Sequence, residues 1–437
     1  MTTVAEVRLW GRTIGAVSVD GPGAVATFEY TDAFRKSGIE IAPLMMPLAG
    51  SIYRFDELPR GSFHGLPGLL ADALPDAFGN AVIDAWLAAQ GRLPNEIDAV
   101  ERLCYTGTRG MGALEFRPTR GPRETTTKPV QVDALVALAS EVLTQRSALR
   151  VSLPATVGED ADREHALREI LRVGASAGGA RAKALIAWNP KTNEVRSGQV
   201  TAPPGFEYWL MKFDGVAQNS DRDLADPQGF GAIEYAYSLM AKAAGIRMSS
   251  CRLFEEHGRR HFMTRRFDRL PDGSKLHMQS LGAMAHFDFH NPLAHSYEQA
   301  IAVMRRLSLP MDDIEEAFRR MVFNVLARNQ DDHVKNMAFL MDRNGRWSLA
   351  PAFDVMYAYN PSGAWTAHHQ MSLAGKRDDF TLDDLKSVAA TASMQRGRAL
   401  RIIAEVVNAV EQWPDCAAEA GVAADQVALI ANAHRGA

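Results

Sequence analysis

Asp331, Asn336 and Asp354 are residues whose types and spacing can do chemistry. The first two lie in NQDDHVKN, Asn329 to Asn336, five positions apart. That is the spacing of the catalytic aspartate and the metal-binding asparagine in the protein-kinase loop H-R-D-x-x-x-x-N. Asp354 follows in PAFDV, where a kinase keeps its second magnesium ligand. Phosphoryl transfer asks a protein for positioning and charge neutralisation more than for covalent help. Asp331 can orient a hydroxyl nucleophile and accept its proton. The amide oxygen of Asn336 and the carboxylate of Asp354 can hold magnesium against nucleotide phosphates, because magnesium favours oxygen ligands and keeps several waters. Taken alone, D-x-x-x-x-N also fits an acidic, solvated loop; the hairpin and the aspartate that follow favour a kinase.

The elements that must position these residues can be read around them. Met337 to Met341 is an apolar run, Asp342-Arg343-Asn344-Gly345 is a turn, and Trp347 to Ala350 returns, a β-hairpin between the two halves of the site. Upstream, Gly174 to Lys183 is a loop of small residues with Arg181 and Lys183, able to bring backbone N–H groups and positive charge to a phosphate. It matches neither standard phosphate-loop pattern, and a glycine-rich turn before a strand is its plain alternative. The strand Ala184 to Trp188 follows, then Glu207 to Phe213, an apolar strand with one lysine, Lys212, placed as the phosphate-contacting lysine of kinases is. A helix is predicted from about Gly231 to Ala244. Glu234 near its start could pair with Lys212 or favour the helix N-terminus by charge, and the second is the expectation. His261 to Arg269 runs from strand to loop where a kinase joins its lobes beside adenine. Phosphate loop, lysine strand, helix, hinge, D-x-x-x-x-N, hairpin and aspartate therefore come in kinase order.

The chain has 437 residues and a net charge of −4, so no global basic character marks a nucleic-acid or membrane surface. Cys104, Cys251 and Cys416 stand far apart in no metal or redox spacing and fit a reducing compartment. MTTVAEVRLW lacks the basic start and apolar core of a signal peptide, and no apolar run approaches transmembrane length, so the expectation is a cytoplasmic protein with no membrane contact. Alternation at Val4–Trp10, Thr13–Val19 and Ala24–Tyr30, broken by Gly-containing turns, predicts a β meander that needs a cover for its apolar face. A helix is expected from about Asn80 to Gln90, and the glycines of Thr106 to Leu114 are expected to serve tight packing of the N-terminal part on the rest. The polar tract 119–129 reads as a linker, with helices near 131–145 and 162–172. The domains expected are 1–120 and 130–437, the latter with a smaller lobe at about 150–270 and a helical lobe at about 271–437.

Taken together, these stretches resemble the HipA family of bacterial serine/threonine kinases, toxins of type II toxin–antitoxin pairs, over nearly the whole length. GLPGLLADALPDAFG (65–79) and RGMGALEFRP (109–118) resemble the family's N-terminal domain. GASAGGARAKAL (174–185), WLMKFDG (209–215), RRFDR (265–269), NQDDHVKN and PAFDV resemble its kinase core. The resemblance implies an α+β fold, with a small N-terminal β-containing domain packed on a protein-kinase-like core that has a mostly helical C-terminal lobe. It implies Asp331 as catalytic base, Asn336 and Asp354 as magnesium ligands, and Lys212 on the ATP phosphates. Ala177, Gly178, Gly179, Ala180 and Arg181, with Lys183, would form the phosphate loop. Arg265 and Phe267 would lie at the hinge beside adenine, and His333 and Lys335 in the catalytic loop, as nucleotide contact or charge support. Ser176 matches the serine whose autophosphorylation ejects the loop and switches the kinase off, which the added charge beside a phosphate site explains. Arg265 stands where some members carry an acid, and Ala182 lacks the side chain some carry before the loop lysine.

By the same resemblance, the function is ATP- and magnesium-dependent phosphorylation of a translation component such as an aminoacyl-tRNA synthetase, causing growth arrest and persistence. The partner is a small helix-turn-helix antitoxin (HipB-like), with DNA reached only indirectly through it. Two other readings stand beside this: a small-molecule kinase with the same Asp/Asn/Asp set, and a catalytically silent antitoxin-binding subunit. His286, His290 and His295 near Asp288 fit no standard zinc spacing and are expected to be structural. His368-His369 is expected to be simply exposed. In the helical tail, Leu400, Ile403, Ala404, Val407 and Val410 are expected to form one buried face.

Overall fold

A computed structural model of the chain describes residues 2–120, 130–148, 181–198, 202–216, 220–221, 224–225, 229–292 and 294–436. Most of the linker read at 119–129, the helix expected near 162–172, and positions 174–180 of the phosphate loop, Ser176 included, lie outside the described residues. Among those described, no helix is long and apolar enough to cross a membrane.

The N-terminal alternation builds a five-stranded antiparallel sheet in the order β4-β3-β2-β1-β5. Its strands are β1 (Thr3–Leu9), β2 (Arg12–Val19), β3 (Thr27–Tyr30), β4 (Ile52–Tyr53) and β5 (Leu114–Arg117). Ala5, Val7 and Leu9 on β1, Ile14, Val17 and Val19 on β2, and Phe28 and Tyr30 on β3 are buried in one cluster. The helix Ala99–Thr106 contributes Val100, Leu103 and Cys104 to the same cluster. The tract read as a packing loop in fact continues into β5, which pairs with β1 from Leu9↔Leu114 to Glu6↔Arg117. The glycine expectation holds at Gly112, whose φ is +73° and whose added Cβ would stand 2.8 Å from the Met278 backbone nitrogen. A side chain there would force the two parts of the molecule apart.

The second five-stranded sheet has the order β11-β12-β8-β6-β7. Its strands are β6 (Lys183–Trp188), β7 (Val195–Ser197), β8 (Glu207–Lys212), β11 (Cys251–Glu256) and β12 (Arg259–Arg265), with a two-residue pair β9 (Ser220–Asp221) and β10 (Leu224–Ala225) between. Every residue of β6 is buried, so KALIAW shows no alternation. The helix Phe230–Ala243 starts after Gly229 and lies close on β12: a Cβ on Gly231 would meet the Arg260 carbonyl oxygen at 2.4 Å. That approach carries Glu234 over the sheet.

The helical lobe is organised around Met311–Leu326, with Phe318, Met321 and Phe323 fully buried and Tyr237 and Trp413 in the same cluster. The tail is helical at Leu382–Thr391, Arg398–Val410, Trp413–Ala420 and Ala424–Ala433. Its expected buried face is displaced. Leu400 is 49% exposed and Ala404 is exposed, while Ile402, Ile403, Val406, Ala409 and Val410 are buried. The helix carries two overlapping apolar stripes, and packing against Met311–Leu326 selects the other one. The expected hairpin forms as β14 (Ala338–Met341) and β15 (Trp347–Leu349), and β13 (His277–Ser280) adds to it.

The N-terminal part docks on this core through polar contacts from several segments. Asp72 accepts from the Ser280 N–H at 2.7 Å and hydroxyl at 2.8 Å, Asp268 accepts from the Gly112 N–H at 2.7 Å, and Trp10 Nε1 donates to the Lys275 carbonyl at 2.8 Å. The histidine cluster belongs to the same contact: His286 Nε2 accepts from the Gly68 N–H at 3.0 Å, and Ser62 bonds both Asp288 and His290 Nδ1. Among the described residues no group of three or more His, Cys, Asp or Glu could hold a metal.

Burial pushes the His286 imidazole down to about 4. The unfolded chain, with an ordinary histidine near 6.5, therefore takes up the proton first as pH falls. The stability from the neutral ring is fully present above that value and is lost as pH drops towards 4. The full shift is on the order of 3 kcal/mol. Urea midpoints should fall between pH 7 and pH 4.5, and His286→Gln, which keeps an acceptor for Gly68, should fall less steeply. Parallel slopes would remove His286 from the explanation.

Candidate functional site

Two lysines meet at one end of the core sheet, since Lys183 on β6 is the register partner of Lys212 on β8. Like charges directly opposite on neighbouring strands repel, so this arrangement needs acids around it. Three supply them. Lys212 Nζ lies 2.6 Å from Glu234 Oε1 and 2.6 Å from Asp354 Oδ1, and Lys183 Nζ lies 3.3 Å from Asp76 Oδ2. Glu234 is thus not a helix-terminus charge as expected. It is the fifth residue of its helix, 2% exposed, and close packing at Gly231 aims it at Lys212.

Electrostatics follow from burial and these neighbours. Burial alone would push the Lys212 ammonium down, but Asp354 and Glu234 hold it above its ordinary value. Burial alone would push Asp354 up, yet Lys212, Lys183 and Arg181 hold it well below the usual carboxylate range. Asp354 has φ +56°, a left-handed conformation that aspartate tolerates better than most residues, just past the hairpin. Arg181 is buried, with its guanidinium 3.8 Å above the Phe230 ring and Nη1 3.5 Å from Met356 Sδ. Arg265 ends β12, with Nη2 3.8 Å from Glu207, and the Phe267 ring packs 5.7 Å from that of Phe353.

The loop between the helix Met311–Leu326 and β14 carries the remaining residues. Asn336 Nδ2 donates to the Asp331 carbonyl at 2.8 Å, which closes the loop on itself. His333 Nδ1 accepts from the Lys335 N–H at 3.2 Å, His333 Nε2 stands 3.9 Å from Asp331 Oδ1, and Lys335 Nζ lies 4.4 Å over the Phe289 ring. Trp365 Nε1 donates to Asp331 Oδ1 at 2.6 Å. Asp332, beside Asp331, is buried and lines the cleft shared by Asn336 and Asp354: its Oδ2 accepts from Tyr297 at 2.6 Å and meets His369 Nδ1 at 2.8 Å, and its Oδ1 accepts from the Gln370 N–H at 2.7 Å. Burial would raise Asp332, and those donors bring it below the ordinary value. His369 is fully buried, against the expectation of exposure, and His368 is the exposed one of the two.

Asn336 and Asp354 line one cleft, with His333 and Phe353. With Nδ2 of Asn336 bound to the loop, its amide oxygen is the atom left for a ligand. The set offered is one amide oxygen and one carboxylate, hard oxygen donors that fit magnesium when phosphates and water complete the shell.

Family models match both parts of the chain: the HipA N-terminal domain over residues 5–117 and the HipA-like C-terminal domain over residues 175–413. This chain belongs to the HipA family. The structure of the Shewanella oneidensis HipA in a complex with HipB and operator DNA superposes with a TM-score of 0.65 at 16% identity, covering 98% of this chain and 94% of that one. At that identity the match shows the HipA fold. The kinase-named protein Y4dM of Sinorhizobium fredii is 27% identical over 227 residues, 49% of this chain and 54% of the relative. A kinase-named protein of Haemophilus influenzae is 27% identical over 110 residues, 23% of this chain and 32% of the relative. The chain thus spans about half or less of the curated relatives it matches.

Against the HipA fold, two site neighbours, Asp76 and Trp365, had no signal in the sequence that would single them out. Asp76 is the N-cap of the helix Ala77–Ala89, accepting from the Gly79 N–H at 2.6 Å, and that helix starts three residues before the Asn80 expected. Trp365 lies in an irregular segment with no periodicity; His369, in the same segment, was visible only as half of a histidine pair expected to be exposed. Asp332 was visible beside Asp331 in the DD pair, and only the fold separates the buried acid, which lines the cleft with Asn336 and Asp354, from the half-buried Asp331, which does not line it.

Proposed function

We propose that this HipA-family chain is an ATP- and magnesium-dependent serine/threonine protein kinase, the toxin of a toxin–antitoxin pair. In this reading it acts in the cytoplasm and arrests growth by phosphorylating a translation component such as an aminoacyl-tRNA synthetase. The observation that carries it is Lys212 bridging Glu234 and Asp354, the charge pattern of a kinase nucleotide site. Lys212, held in place by Glu234, contacts the phosphates, with Arg181 and Lys183 beside it; Ala177–Ala180 serve as the phosphate loop by their resemblance to the family. Asn336 and Asp354 hold magnesium, which when bound neutralises phosphate charge. Arg265 and Phe267 flank the adenine. Asp331 accepts the proton of the acceptor hydroxyl, and His333 and Lys335 support the charge balance of the same loop. Residues 1–120 and 130–437 act as the two domains. A HipB-like helix-turn-helix antitoxin is the partner, through which DNA is reached; the composition of the Shewanella complex supports this.

Ser176 is the self-inactivation site in this reading. Phosphatase-treated chain incubated with Mg-ATP should gain one phosphate, located on Ser176 by peptide mass spectrometry, and the Asp331→Asn chain should gain it about 10²–10⁴-fold more slowly. Phosphate on another residue would retain the kinase and remove the switch. No phosphate together with no ATP binding would overturn the kinase reading in favour of a silent antitoxin-binding subunit.

A further inference from the structure

The loop that carries Asp331 is held by a distant segment, Trp365 to Gln370. Gln330, on one side of Asp331, donates from Nε2 to the Thr366 carbonyl at 3.2 Å. Asp332, on the other side, takes the Gln370 N–H at 2.7 Å and meets His369 Nδ1 at 2.8 Å. Gln370 Nε2 in turn bonds the Trp365 carbonyl. Thr366, His369 and Gln370 are buried, whereas Trp365 is half-buried beside the loop. The strap is therefore fastened on both sides of Asp331, and its one remaining indole donor reaches Asp331 Oδ1 at 2.6 Å.

We propose that Trp365 is a positioning residue for phosphoryl transfer, holding the Asp331 carboxylate in the rotamer that receives the proton of the acceptor hydroxyl. The inference rests on the kinase reading given above. In the step it serves, the acceptor oxygen bonds to the γ-phosphorus of ATP as the bond to ADP breaks, and the hydroxyl proton passes to Asp331. An indole suits this task. It donates but cannot accept, so it orients the carboxylate without competing for the proton. His333, with Nε2 3.9 Å from the same oxygen, is too far to do so by hydrogen bond. Gln330 and Asp332 face the strap through their own bonds, so the geometry of the base is set by the segment after the hairpin as well as by its own loop.

The test is the rate of self-phosphorylation of phosphatase-treated chain against Mg-ATP concentration. Two variants remove the donor: Trp365→Phe, and replacement of Trp365 by benzothienylalanine, which keeps the ring size and loses only the N–H. Loss of a hydrogen bond to a charged group should lower the maximal rate about ten- to a hundredfold in both. The half-saturating ATP concentration should be unchanged. In an Asp331→Asn background the same changes should add no further loss, because both act through one carboxylate. A benzothienylalanine chain at the wild-type rate, a faster chain, or a loss appearing as weaker ATP saturation would each overturn the proposal. An Asp331→Asn chain as active as the wild type would instead remove Asp331 as the base, and a wild-type chain that takes up no phosphate would overturn the kinase assignment beneath it.

Discussion

Asp331→Asn should lower phosphoryl transfer by about 10²–10⁴-fold, the range for loss of a positioned general base. Binding should hardly change, because Asp331 acts on the acceptor and not on the nucleotide. Asn336 Nδ2 bonds the Asp331 backbone carbonyl, a contact the substitution leaves in place, so the loop should keep its shape. The Trp365 indole also finds an oxygen on asparagine if the amide is oriented to present it. The measurement is a single-turnover rate beside a calorimetric affinity for Mg-ATP. A fall in rate at constant affinity identifies an interaction made only in the transition state. A loss of affinity equal to the loss of rate would place Asp331 in nucleotide binding instead and would refute the role given to it.

The parts of this molecule that could be read in advance are those whose determinants are local. The hairpin β14–β15 follows from an apolar run, Asn344-Gly345 and a second run. Lys212 was legible because a single lysine in EYWLMK stands out on a strand. The spacing of Asp331, Asn336 and Asp354 was legible for the same reason, and the fold brings Asn336 and Asp354 to one cleft. The elements that could not be read depend on partners far along the chain. Glu234 carries no mark that distinguishes a buried ion pair from a helix-end charge; close packing over Gly231 decides it. β5 needed β1, more than a hundred residues earlier, to become a strand. The histidines at 286 and 290 acquired a purpose only when Gly68 and Ser62 met them. Residues 177–180 and Ser176 fall outside the described structure, so their roles rest on the sequence.

Lys212→Met should be the most destabilising single change at the site, by about 3–5 kcal/mol at neutral pH, because it leaves the buried Glu234 and the half-buried Asp354 without their shared cation. Methionine fits the volume, so the cost is electrostatic. The Lys212 side chain is 11% exposed, that of Glu234 3% and that of Asp354 23%, which limits the water that can replace the lost charge. The pH dependence separates this from a packing defect. In the wild type, Asp354 is held below its ordinary value, so its contribution is present above the unfolded pKa near 4 and is lost as pH falls. Burial already raises Glu234 in the wild type; without Lys212 it rises further and Asp354 rises with it, so the variant takes up more protons on folding. The penalty from this pair is then smallest at low pH and grows as pH rises. The gap between the two chains should therefore narrow from pH 7.5 to pH 5 in urea unfolding. Adding Glu234→Gln to Lys212→Met should recover part of the loss, since one buried charge then disappears. A gap that stays constant with pH, or a double variant no more stable than the single, would mean that Lys212 is not the cation that lets these two acids share the site.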